Sequence, residues 1–82
     1  MHKDTVTVEI RIPKMSLCED LEIPLDITVN DFIIALNQIF NLHMNLENMS
    51  LCYLKTENPI ALLKGNRLIR DFGVRNGTIF NL

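Results

Sequence analysis

The feature that most constrains the fold is the strict alternation of residues 5–12, TVTVEIRI. Side chains of a strand point alternately to its two faces, so this pattern predicts a strand that is buried on one face only. The face expected to be buried carries Val6, Val8, Ile10 and Ile12. With 82 residues, of which 48% are hydrophobic, the chain has room for one core. We therefore expect residues 1–82 to form a single domain.

A second alternating stretch, DLEIPLD, follows after a short turn at residues 13–16. It places Leu21, Ile23 and Leu25 on the buried face. Pro24 cannot donate a backbone hydrogen bond, which favours an edge position for this strand. The two strands are therefore predicted to form a hairpin.

The hydrophobic period changes after Thr28, which is a favourable N-cap residue followed three positions later by Asp31. Apolar residues then recur at helical spacing and predict a helix from about Val29 to Asn41. Ile34 falls off the apolar stripe and is expected to be partly exposed. The expected buried stripe consists of Val29, Phe32, Ile33, Leu36, Ile39 and Phe40.

The remaining residues predict a strand in MSLCYLKT (49–56), a short strand within 60–69, a helical turn near 70–74 and a final strand in TIFNL (78–82). In the first of these strands both faces are apolar. We assign Leu51 and Tyr53 to one face and Cys52 and Leu54 to the solvent face. In the final strand Phe80 and Leu82 share one face, and Ile79 and Asn81 share the other.

This order of elements predicts an α+β fold, a mixed sheet of four to five strands with one main helix packed on one face. The first and last strands are both strongly β-forming, so we expect them to pair as central neighbours. That arrangement is the β-grasp, or ubiquitin-like, fold.

No cluster of reactive residues points to catalysis, and no catalytic, cofactor or metal site is predicted. His2 and His43 are isolated, and neither lies near a cysteine at the spacing of a metal site. Cys18 and Cys52 are far apart and are expected to be reduced thiols. The glycines fit turns and form no phosphate-binding loop. We therefore expect a protein that is not an enzyme.

Charge and hydropathy limit the partners and the location. The net charge is −2 and no basic cluster is present, which argues against nucleic acid binding. No apolar run reaches the roughly 20 residues of a membrane span, and the N-terminus has no signal-peptide core. The expected location is the cytoplasm, without direct insertion into a membrane.

The segment RLIRDFGVRNGTIFNL, residues 67–82, resembles the stretch of ubiquitin-like domains in which a Leu–Asp–aromatic–apolar run precedes the last strand. The helix start ITVNDFI is also similar. Together with the length and the order of elements, these residues resemble the YukD/EsaB family, small ubiquitin-like proteins of type VII (WXG, or ESAT-6) secretion systems in Gram-positive bacteria. The resemblance implies an accessory module that acts by protein–protein contact. Membrane or ATPase components of the secretion machine are the implied partners, with peripheral docking at the inner face of the membrane.

Conjugated ubiquitins and sulfur carriers use a flexible Gly-Gly tail, whereas the last strand here stops at Leu82. We expect Leu82 to be buried and no conjugation chemistry to occur. Ubiquitin-like domains commonly bind partners on the outer face of the sheet, and the residues predicted to lie there are Cys52, Leu54, Ile79 and Asn81. A homodimer through the same face is an open alternative. A sulfur carrier or protein tag, and a regulator that binds another factor, also remain open.

Overall fold

The computed structural model describes residues 4–82, which form five strands and one α-helix. The elements are β1 (Thr5–Ile12), β2 (Leu17–Pro24), α1 (Val29–Phe40), β3 (Leu54–Glu57), β4 (Ala61–Leu63) and β5 (Ile79–Asn81). Three short 3₁₀ turns, at Pro13–Met15, Met49–Leu51 and Ile69–Phe72, connect them. The helical turn expected near residues 70–74 is thus confirmed. The strand expected at 49–56 begins later, because residues 49–51 form a 3₁₀ turn.

The five strands form one mixed sheet in the order β2-β1-β5-β3-β4. β1 pairs parallel to β5, with Ile10 opposite Phe80, and antiparallel to β2 along its whole length. The predicted central pairing of the first and last strands is confirmed. The predicted edge position of the strand that contains Pro24 is also confirmed. This topology, with one helix on one face, is the ubiquitin-like β-grasp fold.

The core lies between α1 and one face of the sheet. On β1, Val8, Ile10 and Ile12 are buried, as the alternation predicts. The ring of Phe32 on α1 meets the ring of Phe80 on β5 edge-on, with centroids 5.2 Å apart. Such edge-to-face packing adds to the stabilisation from burial alone. The helix therefore sits over the central parallel pair of strands.

Helix α1 has a capping residue at each end, Thr28 and Asn41. The Thr28 side chain accepts a hydrogen bond from the Asp31 amide at 3.1 Å, which confirms the predicted N-cap. The helix ends at Phe40, because Asn41 adopts a left-handed conformation with φ 54°. Ile34 is exposed, as expected. Ile39 was predicted to be buried but is 59% exposed, because it lies at the margin of the stripe while Phe40 is buried.

The chain enters β5 through a turn that requires glycine. The Thr78 amide donates to the Arg75 carbonyl at 3.0 Å, and Gly77 occupies the third position of this turn with φ 88°. Positive φ at that position favours glycine. After β5, the Leu82 amide donates to the Arg11 carbonyl at 2.9 Å. The Leu82 side chain is only half-buried and not fully buried as predicted, since it lies beyond the last paired residue of β5.

Candidate functional site

The face of the sheet opposite α1 was the predicted binding surface, and its centre is formed by β1, β5 and β3. Strand register places Glu9 opposite Ile79 and Arg11 opposite Asn81. On the other side of β5, Asn81 lies opposite Lys55 and Ile79 lies opposite Glu57. Among these residues Ile79 has the only apolar side chain. The centre of this outer face is therefore polar.

The polar groups of the outer face bind one another. The Arg11 guanidinium donates to the Glu9 carboxylate, and the Asn81 amide donates to a Glu57 oxygen at 2.8 Å. The Arg11 hydrogen bond holds the pKa of Glu9 below its usual range, while Glu9 raises the pKa of Arg11. Both groups are thus held in their charged forms.

Cys18 lies on β2 directly opposite Arg11 and is exposed. Its pKa is raised, first because of its hydrogen bond with the Glu9 carboxylate and then because of partial desolvation. A thiolate next to this carboxylate is disfavoured, and the thiolate is the reactive form of cysteine. The surroundings of Cys18 therefore favour an unreactive thiol.

Of the four predicted site residues, Ile79 and Asn81 lie on the outer face and are half-buried. The predicted exposure of Cys52 and Leu54 is wrong, because they are 7% and 1% exposed and belong to the core. The register explains the reversal: Leu54 pairs with Leu63, another fully buried residue of the core. Neither side chain is therefore available on the outer face of the sheet. The binding role predicted for Ile79 and Asn81 stays a prediction.

Large apolar side chains are exposed instead along the β3–β4 hairpin and the turn before it. Four of the seven exposed large apolar residues within residues 4–82 fall in this segment: Leu51 (73% exposed), Tyr53 (48%), Ile60 (91%) and Leu62 (50%). Lys55 relates two of them, since Leu62 lies opposite Lys55 and the Lys55 ammonium lies 5.9 Å from the centre of the Tyr53 ring. Ile60 lies two residues before Leu62, in the turn between β3 and β4. We refer to Tyr53, Ile60 and Leu62 as the hairpin patch.

The alternation of the sequence could have located the hairpin patch. Continued to Glu57, the stretch places Tyr53, Lys55 and Glu57 on one face of the strand. Two charged residues on that face identify it as the solvent face. Thr56, on the buried face, is compatible with burial because its hydroxyl donates to the Pro59 carbonyl at 2.8 Å.

Residues 4–82 contain no group of three or more His, Cys, Asp or Glu residues that is arranged to hold a metal ion. His43 is exposed just after α1, and His2 lies outside the described residues. In the same part of the chain, no helix combines the length and the apolar character needed to cross a membrane.

Comparison with protein families places these observations in context. The family model for YukD, described as a protein of the WXG100 protein secretion system (Wss), matches residues 5–82. This range contains all five strands and the helix. A search of curated proteins found no match to the chain. The family match confirms the resemblance given by residues 67–82, and the chain belongs to the YukD family and has an accessory role in the WXG100 secretion system.

Proposed function

We propose that this chain acts in WXG100 secretion as a non-catalytic binding module, through contact with other proteins of the secretion system. The observation that carries the proposal is the hairpin patch, where Tyr53, Ile60 and Leu62 are exposed together on one hairpin. Scattered single apolar residues are normal on a protein surface, but grouped ones mark interaction sites. The patch also contains an aromatic residue, a type that is enriched among the residues that dominate binding energy.

The state of the titratable groups also supports binding rather than catalysis. Catalytic acids, bases and nucleophiles usually have pKa values shifted toward the working pH. Here the pKa of Glu9 is lowered and that of Cys18 is raised, so each shift moves the group further from neutrality. Cys52 is buried in the core. The shifted pKa values of Glu9 and Cys18 therefore do not favour acid–base or nucleophilic catalysis near neutral pH.

Family membership narrows the class of partner. An accessory protein of a secretion system acts on other components of that system, and we propose membrane or ATPase components as the partners. In this proposal the chain works on the cytoplasmic side of the membrane and docks through a protein partner.

A complementation experiment tests this proposal. The gene would be deleted in its own bacterium, and export of a WXG100 substrate would be measured with plasmid-borne variants. We expect the wild type and Cys18→Ser to restore export equally, because no reactive thiol is required. The double variant Ile60→Asp/Leu62→Asp should fail to restore export, because charge on the hairpin patch opposes burial against a partner.

The control is Ile39→Asp, which places one such charge on an apolar side chain that is 59% exposed on α1, away from the hairpin. Export restored by Ile39→Asp but not by the hairpin variant supports the proposal. Equal restoration by both variants contradicts the use of the hairpin. Loss of export with Cys18→Ser, or a covalent adduct in the intact mass of the native protein, contradicts a non-catalytic role.

A further inference from the structure

A groove of about 420 Å³ opens at the end of the sheet where β1 and β5 finish. Its apolar lining comes from the strand ends and from the segment that follows α1: Ile12, Leu42, Met44, Tyr53, Leu54 and Leu82. Ile12 and Leu54 are almost fully buried, whereas Tyr53 is 48% exposed. The volume falls within the range of about 300–1,000 Å³ that is typical of ligand sites.

The two charged side chains that line this groove have the same sign. Lys14 and Lys55 line it, and no Asp or Glu side chain does. Within residues 4–82, every ion pair involves an arginine, and neither lysine has a carboxylate within 4.0 Å. The protein as a whole carries a net charge of −2. The groove is therefore a basic apolar site on an acidic protein.

The surface continues beyond the groove. A neighbouring hollow of about 480 Å³ shares Lys14 and Leu42 with it and adds Met15 and His43. Met15 is 45% exposed. The continuous surface is larger than the groove alone, which suits a segment of polypeptide better than a small molecule.

The position of the groove indicates the conformation of the segment that it would accept. It lies at the ends of strands, and the three strands that border it are each paired on both sides: β1 with β2 and β5, β5 with β1 and β3, and β3 with β5 and β4. An added strand would therefore find no free sheet edge in the groove. Binding must rely on side chains, as when an amphipathic helix lies in an apolar groove.

We propose that this groove binds an amphipathic helix of a protein partner, whose apolar face is flanked by acidic residues that pair with Lys14 and Lys55. The inference rests on the proposed function, since it specifies the chemistry of one contact that a binding module would make. Complementary charge contributes mainly to specificity and to the rate of association, so the acidic residues would determine which helices are accepted.

Two synthetic 18-residue peptides test the proposal, both with leucines at helical spacing and with either glutamates or lysines beside the leucine face. Binding to the isotope-labelled protein would be measured by calorimetry and by amide chemical shifts. We expect the acidic peptide to bind and to shift residues 12–15, 42–44 and 53–55, and the basic peptide to bind at least tenfold more weakly. Lys14→Glu and Lys55→Glu should each weaken the affinity for the acidic peptide by roughly fivefold. Lys64→Glu, an exposed lysine outside the groove, is the matched control.

Several results would overturn the inference. These are equal binding of both peptides, no effect of either charge reversal, shifts confined to the outer face around Thr7 and Glu22, or no binding by the acidic peptide. Sodium laurate bound in the groove without peptide binding would identify a fatty-acid site instead. Shifts that depend on protein concentration alone would identify a second copy as the occupant. The export assay uses different variants and a different readout from the peptide experiment. A negative result for the groove can therefore be distinguished from a negative result for the proposed function.

Discussion

Replacing Leu54 and Tyr53 by alanine in separate variants tests which face of β3 is buried. Leu54 is 1% exposed and lies opposite the fully buried Leu63, whereas Tyr53 is 48% exposed. Removing a buried leucine side chain costs about 2–5 kcal/mol, because apolar contact is lost and a cavity remains. A partly exposed residue that is truncated to alanine costs about 1 kcal/mol or less. We therefore expect Leu54→Ala to destabilise the protein about threefold more than Tyr53→Ala.

The assay is thermal and urea unfolding followed by far-UV circular dichroism. For a domain of this size, 1 kcal/mol lowers Tm by about 4–8 °C, so a cost of about 3 kcal/mol for Leu54→Ala corresponds to about 12–24 °C. Tyr53→Ala should lower Tm by no more than about 8 °C. The two residues are adjacent in sequence, so both substitutions fall at the same point of the chain, at the start of β3. A larger loss of stability for Tyr53→Ala than for Leu54→Ala would refute the assigned face.

Two further predictions concern the thiols and the helix cap. In the folded protein a thiol reagent at pH 8 should modify Cys18 alone, and Cys52 should react only after unfolding, as mass spectrometry would show. Since the Glu9 carboxylate raises the pKa of Cys18, Glu9→Gln should lower that pKa and speed its modification; an unchanged or slower rate would contradict the contact. Loss of the Thr28 cap in Thr28→Ala should cost about 1 kcal/mol in urea unfolding, and Thr28→Ser should recover most of it.

Much of the fold could be predicted because the local patterns agree with one another. In β1 every second residue is apolar, so only one orientation buries the strand. Thr28 and the helical spacing after it fix the start of α1, and the observed helix differs from the expected one by a single residue at its end. The pairing of β1 with β5 followed from their strong strand patterns. Each of these elements has one strongly preferred face.

The orientation of β3 was harder to predict because consecutive residues, 51–54, are all apolar, so both faces of the predicted strand are apolar. Cys52 and Leu54 compete with Leu51 and Tyr53, and within residues 49–54 periodicity does not choose between these pairs; only the charges of Lys55 and Glu57, further along the chain, mark the solvent face. The choice is made by partners distant in sequence: Leu63 faces Leu54, and Phe80 faces Thr56. The predicted exposure of Cys52 and Leu54 depended on that choice and was wrong, whereas the predicted binding role of Ile79 and Asn81 stays a prediction.

Crosslinking in living cells tests the central claim most directly, namely that the chain acts by contact through the hairpin patch. A photo-reactive amino acid would replace Ile60, which is 91% exposed, and in a parallel strain Ile39, which is 59% exposed. The account predicts that position 60 crosslinks to another component of the WXG100 secretion system and that position 39 does not. A functional, exporting strain in which position 60 yields no crosslinked partner, or in which both positions yield the same products, would contradict the account.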